Sequence, residues 1–200
     1  MNFDLTDEQR MFMEAVEGFA ERYLAKDALK RAHAEGFPRD VAKMMSEQGL
    51  LGITMREEDG GQGGTLTDAV IAIQAIAKYC PRSADVVQAG NFGAVRVLAE
   101  YGTADQKARY LTPILAGEKI LSVAMSEPEA GSALTDLKTT ATPADNDGVH
   151  LNGTKVFSTH SPEADVFLVY CRYGPGVNGI GSVLVEPDTK GVSRGQPVMY

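Results

Sequence analysis

The chain has 200 residues, of which 44% are hydrophobic and 23% charged, and its net charge is −8. This acidic balance, without a cluster of lysine and arginine, argues against a nucleic-acid partner. No apolar run reaches the length of about 18 residues that a membrane span needs. Two cysteines and three histidines provide neither a disulfide framework nor the spacing of a zinc site. With an acidic N-terminus that resembles no secretion signal, we expect a cytoplasmic protein without bound metal or membrane contact.

The first 118 residues predict an all-α domain. Thr6 and Gln9 fit a capping box, and the apolar residues that follow recur at the helical period as far as Tyr23. Further helices are predicted over 39–48, 67–79, 83–101 and 104–115. The helix at 67–79 is apolar almost all round, which indicates burial on several sides.

From residue 119 onward the pattern changes to short apolar and β-branched runs between turn residues. Strands are predicted over 120–123, 138–142, 149–151, 156–159, 164–172 and 181–186. The predicted fold class is therefore α+β, with a helical N-terminal domain over 1–118 followed by an antiparallel β-barrel or sandwich domain over 119–200. Because the sequence stops inside a β segment, we expect this domain to be incomplete at its C-terminal end.

Two stretches carry the chemical signal. Residues 124–132, Ala-Met-Ser-Glu-Pro-Glu-Ala-Gly-Ser, follow an apolar run, and residues 155–159, Lys-Val-Phe-Ser-Thr, form a second apolar and hydroxyl run. Small residues allow backbone N–H groups to approach a phosphate, and hydroxyls add donors. The acidic and glycine-rich run 56–64 is interpreted as a flexible, solvated loop, and its glycine-rich part, 60–64, is not followed by the Lys-Ser or Lys-Thr pair of a nucleotide site. The two stretches predict strand ends that hold a flat cofactor with a pyrophosphate, without a Rossmann domain.

Residues 124–132 resemble the flavin-loop signature of the acyl-CoA dehydrogenase family. Three further stretches, at 58–63, 101–111 and 151–159, are similar to the same family in its order and spacing. The resemblance covers essentially the whole chain, that is, the helical N-terminal domain and most of the middle β domain. It implies that the C-terminal helical bundle of the family is absent from this chain.

The resemblance implies FAD, held non-covalently, with an acyl-CoA thioester stacked on it. Ser126 would bond the edge of the isoalloxazine ring, Thr159 would point at flavin N5, and Ser132 would serve the cofactor or the thioester substrate. Phe157 stands where the family usually has a tryptophan against the ring, and Ala133 stands where it usually has an aspartate. The cofactor-binding residues implied in this way are Val123, Met125, Ser126, Gly131, Ser132, Phe157, Ser158 and Thr159.

The implied reaction is the α,β-dehydrogenation of an acyl-CoA thioester, as in fatty acid or acyl-CoA metabolism. A carboxylate removes the α proton while hydride passes from the β carbon to flavin N5. In the family this base is a glutamate of the C-terminal domain, so the catalytic residue of this chain is unknown, and Glu127 is expected to be structural. The implied partners are an electron-transfer flavoprotein or similar acceptor and further subunits of a homo- or hetero-oligomer.

Two alternatives stay open at this point. A flavin-dependent monooxygenase or oxidase of the same fold would not need the missing glutamate, and it would consume oxygen without reacting with thioesters. A non-catalytic partner subunit or fragment would gain flavin only together with a second polypeptide.

Overall fold

The computed structural model describes residues 4–145 and 148–196, and it divides into two compact units, Met1–Lys119 and Ile120–Tyr200. The first unit is helical and the second is built on a sheet, which confirms the predicted fold class of a helical domain followed by a β domain. Among the described residues, no helix combines the length and the apolar character that crossing a lipid bilayer would demand.

The first unit is a set of helices in which α1 and α4 lie against each other. The capping box at Thr6 and Gln9 is confirmed, with the Gln9 N–H donating to the Thr6 hydroxyl at 3.2 Å. A π turn at Lys107–Leu111 joins the last two helices. The helices are α1 Asp7–Tyr23, α2 Ala28–Ala32, α3 Arg39–Glu47, α4 Leu66–Ala77, α5 Pro81–Ala89, α6 Ala94–Tyr101, α7 Ala104–Gln106 and α8 Thr112–Leu115.

The long helix predicted over 83–101 is wrong, because the chain breaks into α5 and α6. The first helix ends at Ala89, and Gly93 precedes the second with φ +65°, a conformation that glycine adopts without steric penalty. The buried Asn91 fixes the break, since its side-chain amide donates to the carbonyls of Leu50 and Val87 at 2.8 Å each. Two polar contacts inside the core therefore replace the helical hydrogen bonds that the break removes.

The charged loop before α4 is more ordered than its composition predicts. The Asp59 carboxylate accepts hydrogen bonds from the Lys107 ammonium at 2.7 Å and from the Arg56 guanidinium at 2.9 Å, and its side chain is nearly buried. The Lys107 hydrogen bond outweighs the opposing effect of burial and, with Arg56, lowers the pKa of Asp59. The interpretation of this run as a merely solvated loop was wrong at Asp59, whereas Glu58 is exposed.

The described residues of the second unit form one sheet, whose central strand is β4. The strands are β1 Leu121–Ala124, β2 Thr140–Pro143, β3 Val149–Asn152, β4 Val166–Arg172 and β5 Ile180–Val185. Their order is β1-β4-β2-β3, and β5 also pairs with β4. Consecutive residues of β4 from Val166 to Leu168 are buried, as expected for a strand covered on both faces.

The prediction of a purely antiparallel sheet needs correction, because the sheet is mixed. β4 pairs in parallel with β1, placing Leu121 opposite Val166, and it meets β2 in parallel at one position. The pairs β2 with β3 and β4 with β5 are antiparallel. Parallel neighbours need a long crossover connection, and the chain between β1 and β4 supplies it. That connection carries the loop from which the candidate site is built.

Candidate functional site

The candidate site begins where β1 ends, since the chain leaves the sheet after Ala124 and forms the irregular stretch called here the 125–133 loop. One tight turn lies inside it, in which Glu127 and Ala130 exchange backbone hydrogen bonds of 2.9 and 3.1 Å. Gly131 follows the turn and is exposed, and in the described structure no heavy atom beyond its chain neighbours lies within 4 Å of the place that a Cβ would take. The backbone here is accessible to a group that requires close approach.

The Glu127 carboxylate organises this loop from the inside. Its two oxygens accept the backbone N–H groups of Lys138 at 2.6 Å and Thr139 at 2.9 Å, and the Lys155 ammonium at 2.8 Å. Burial by itself would raise the pKa of Glu127, but the Lys155 ammonium and the backbone N–H groups of Lys138 and Thr139 lower it to about 2. A carboxylate that is ionised and bonded in this way is a poor proton acceptor, which agrees with the structural role expected for Glu127.

The second half of the site is the stretch called here the 155–160 segment, and it is not the strand predicted over 156–159. Phe157 and His160 have φ values of +56° and +59°, which no extended strand contains. The backbone therefore bends twice within four residues, and the Phe157 side chain is left 81% exposed. An aromatic ring of that exposure is available as a flat apolar surface for a ligand.

Hydrogen bonds join the 125–133 loop to the 155–160 segment. The Val156 N–H donates to the Ser126 carbonyl at 2.9 Å, and the Lys155 ammonium donates to the Met125 carbonyl at 3.0 Å. At the far end of the segment the Ser122 hydroxyl of β1 donates to the Thr159 carbonyl at 2.7 Å. These contacts set the two stretches side by side at the end of β1.

The hydroxyl groups of the site are available for a ligand. Across the residues that the structure describes, the side chains of Ser126, Ser132 and Thr159 make no hydrogen bond to the protein; Ser132 and Thr159 are exposed, and Ser126 is half-buried. These neutral donors and acceptors suit the polar edge of an organic group. Within the same described residues, no group of three His, Cys, Asp or Glu side chains is placed to hold a metal ion.

Some of the predicted site residues contact the 155–160 segment, and others do not. Met125 and Ser126 meet the 155–160 segment through their carbonyls, and Val123 lies half-buried in β1 opposite Leu168. Ser158 is half-buried within the segment. Among the described residues, no hydrogen bond connects Gly131 or Ser132 to the 155–160 segment.

Sequence reasoning assigned no role to Lys155 or Ser122, although both hold the site together. Lys155 lies inside one of the stretches quoted for the family resemblance, where a lysine directly precedes an apolar and aromatic pair. Its place in that stretch was the available signal, because a lysine before an apolar pair is ordinarily solvated and does not by itself indicate a buried partner. Ser122 gives no comparable signal, because a serine in a strand is unremarkable without knowledge of its neighbours.

Comparison with known proteins identifies the class to which this fold and loop belong. Residues 6–118 match the family model described as acyl-CoA dehydrogenase, N-terminal domain, and residues 122–199 match the one described as acyl-CoA dehydrogenase, middle domain. The chain therefore belongs to the acyl-CoA dehydrogenase family.

Individual relatives agree with this assignment. The chain is 34% identical to the short-chain specific acyl-CoA dehydrogenase of Clostridium acetobutylicum, over 98% of this chain and 52% of the relative. The solved structure titled as the FAD complex of PigA superposes with a TM-score of 0.89 at 29% identity, over 99% of this chain and 52% of the other. A chain of the structure titled as an electron transferring flavoprotein of Acidaminococcus fermentans gives a TM-score of 0.83 at 31% identity, over 96% and 50%. The chain spans about half the length of the relatives it matches.

Proposed function

We propose that this chain binds FAD at the 125–133 loop and the 155–160 segment, as the flavin-binding part of an oxidoreductase that dehydrogenates an acyl-CoA thioester between its α and β carbons. The observation that carries the proposal is the exposed Phe157 ring beside a loop of accessible backbone and free hydroxyls. The helical domain over 1–118 and the β domain over 119–200 are the working division of the chain in this proposal.

The residues present fit the chemical parts of FAD. The isoalloxazine ring is flat and apolar on its faces, which suits the exposed Phe157, and polar along its edge, which suits the Ser126 and Thr159 hydroxyls. A pyrophosphate needs donors on a backbone that it can approach closely, and Gly131 with Ser132 offers such a stretch. Val123, Met125 and Ser158, which are half-buried, complete the proposed binding set.

When bound, FAD would accept the hydride that the substrate loses at its β carbon. The chain's own residues would orient that cofactor: Phe157 would cover a ring face and exclude water, while Ser126 and Thr159 would bond the ring edge. Ser132 is exposed enough to serve the substrate thioester as well. Glu127 takes no part in proton removal, because its pKa of about 2 keeps it ionised and all its strong contacts are internal. We therefore propose no catalytic base among the residues of this site.

The comparisons support the class of substrate and partner. The Clostridium relative is named for short-chain acyl-CoA, which supports an acyl-CoA thioester as substrate. The likeness to a chain in a flavoprotein electron-transfer structure supports an electron-transfer flavoprotein or similar acceptor, within a homo- or hetero-oligomer. Cys80 and Cys171 are free and buried, which supports a reducing, cytoplasmic location that cell fractionation would check.

Titration of the purified chain with FAD tests the proposal. Flavin fluorescence and the visible absorption of bound flavin report binding, and we expect saturable binding by the wild-type chain. Phe157→Ala should weaken binding about tenfold, the loss that one aromatic stacking contact represents. Tyr173→Ala, at an exposed aromatic residue of the same unit outside the site, is the matched control and should bind like wild type.

The reaction is tested by adding a short-chain acyl-CoA to the FAD-loaded chain without oxygen. Because no base is proposed among the residues of this site, the chain should hold FAD without losing the visible absorption of the flavin. Loss of that absorption by the chain alone would place a working base within residues 1–200. No saturable binding of FAD by the wild-type chain would overturn the proposed function.

A further inference from the structure

A buried ion pair lies directly behind the proposed flavin site. The Lys155 ammonium and the Glu127 carboxylate are 2.8 Å apart, with side chains only 10% and 4% exposed. Resting on the proposed function, we infer that Lys155 and Glu127 are positioning residues, which fix the 125–133 loop against the 155–160 segment in the arrangement that receives FAD. Neither residue needs to touch the cofactor for this role.

The pair acts on residues that are next to those proposed to contact the flavin. The Lys155 ammonium donates hydrogen bonds to the Met125 carbonyl and the Glu127 carboxylate. The Val156 N–H donates to the carbonyl of Ser126, the residue between Met125 and Glu127. Three consecutive residues of the loop are thereby tied to two consecutive residues of the segment. Phe157 follows directly after the tied residues, so these contacts set the backbone position from which its ring projects.

Glu127 is committed to this framework by its other bonds. One oxygen accepts the Lys138 N–H, and the other accepts both the Thr139 N–H and the Lys155 ammonium. Three donors satisfy most of the accepting capacity of a buried carboxylate. The group that holds the loop is therefore fixed itself, because it is anchored to the residues directly before β2.

The 155–160 segment needs such anchors, because its backbone is locally unfavourable. Phe157 and His160 both have a Cβ and both lie in the left-handed region, which persists only when the surroundings determine it. Val156 is bonded to the loop on one side of Phe157, and the Thr159 carbonyl accepts the Ser122 hydroxyl before His160. Loss of the Lys155 ammonium would weaken the first of these two anchors.

Positioning can be separated from folding, because a buried ion pair adds little net stability over uncharged groups of similar volume. The double variant K155M/E127Q removes both charges together and keeps one amide oxygen, which can accept the backbone N–H of either Lys138 or Thr139, since these two groups bond different oxygens of Glu127. We expect this variant to fold. Each single variant leaves one charge buried without its partner, so thermal unfolding and circular dichroism are recorded for all of them.

The experiment compares the full chain with K155M, E127Q, the double variant and K155R. For the three charge-removing variants we expect FAD to bind about tenfold more weakly, the effect of losing one charge-assisted hydrogen bond that holds a binding loop. The absorption bands of bound flavin should shift as well, and K155R should recover part of both effects. The matched controls are K138M and D136N, at exposed side chains outside the 125–133 loop and the 155–160 segment, which should bind within about twofold of wild type.

A second readout uses the chain without flavin. Hydrogen–deuterium exchange should accelerate at the backbone amides of the 125–133 loop and of residues 157–160 in the double variant, and not in the controls. If wild type binds no FAD, the proposed function fails and this inference fails with it. If wild type binds FAD and the folded double variant matches it in affinity, spectrum and exchange, the proposed function stands and the positioning role is wrong.

Discussion

The low pKa of Glu127 predicts that the second unit loses stability in acid in a specific way. In the folded chain the pKa is lowered from 4.5 to about 2, so the unfolded chain binds a proton more readily between these values. Stability that depends on the ionised carboxylate is present above pH 4.5 and is lost as the pH falls toward 2. A difference of about 2.5 pKa units corresponds to about 3 kcal/mol, of which about 2 kcal/mol is lost by pH 3.

The test is a comparison of wild type with E127Q, whose side chain does not titrate. At pH 7 the variant should be less stable by about 3 kcal/mol, the usual cost of removing one partner of a buried ion pair. Wild type loses the contribution of Glu127 on acidification. The difference in free energy of unfolding between wild type and E127Q should therefore narrow by about 2 kcal/mol between pH 7 and pH 3. E129Q removes a carboxylate at the exposed tip of the same turn, and its free energy of unfolding should equal that of wild type at both pH values.

Two buried thiols allow each unit to be followed separately. Cys171 lies in β4 of the second unit and Cys80 lies before α5 of the first, and both are free. A pyridyl disulfide reagent, which reacts with thiols in acid, is applied in increasing urea, and mass spectrometry records which cysteine is modified. The exposure of Cys171 then reports the unfolding of the second unit. If the difference in free energy of unfolding between wild type and E127Q stays constant from pH 7 to pH 3, the assignment of the low pKa to this ion pair is refuted.

Two further predictions concern stability at contrasting positions. A methyl group at Gly153 would lie 2.8 Å from the Thr139 Cα, so Gly153→Ala should destabilise the chain by about 2–3 kcal/mol in urea unfolding. Gly131→Ala meets open space and should leave stability within about 0.5 kcal/mol while it weakens FAD binding; equal losses at the two glycines would contradict this. Asp59→Asn should lower the free energy of unfolding by about 1–3 kcal/mol, because the Asp59 carboxylate is nearly buried between two cations. Glu58→Gln, at the exposed neighbour, should leave it unchanged within about 0.5 kcal/mol. Equal effects of the two substitutions would show that the ion-pair network of Asp59 is unimportant.

The helices were predictable because their signals are local. The capping box at Thr6 and the apolar period after it depend on residues within one or two turns, and tertiary contacts only reinforce them. The break between α5 and α6 was missed because it depends on Asn91 reaching the Leu50 carbonyl, far away in the sequence. Asp59 was missed for the same reason, since Lys107 lies beyond four intervening helices.

The direction of the strands could not be derived from the apolar pattern. Alternation indicates which side chains of a strand face the core, and it is the same whether the neighbouring strand runs parallel or antiparallel. The long connection after β1 was the available clue, because a crossover rather than a tight turn follows that strand. The loop at its start was predictable as a motif, but its attachment to Lys155 was not.

The bends in the 155–160 segment show why an apolar, β-branched run can fail to form a strand. Its composition favours extended backbone, yet Phe157 and His160 adopt left-handed conformations that are each unfavourable by about 1–2 kcal/mol. The same few residues also expose a phenyl ring and place a lysine in a buried position. One short segment thus departs from three expectations: its backbone is not extended, an apolar ring is exposed, and a charged side chain is buried. Such a concentration of unfavourable features is expected where a ligand, rather than the fold, sets the requirement. Because the Lys155 and Ser122 hydrogen bonds hold this segment from both sides, the fold maintains an arrangement that its own sequence disfavours, with the Phe157 ring kept open to receive a planar partner.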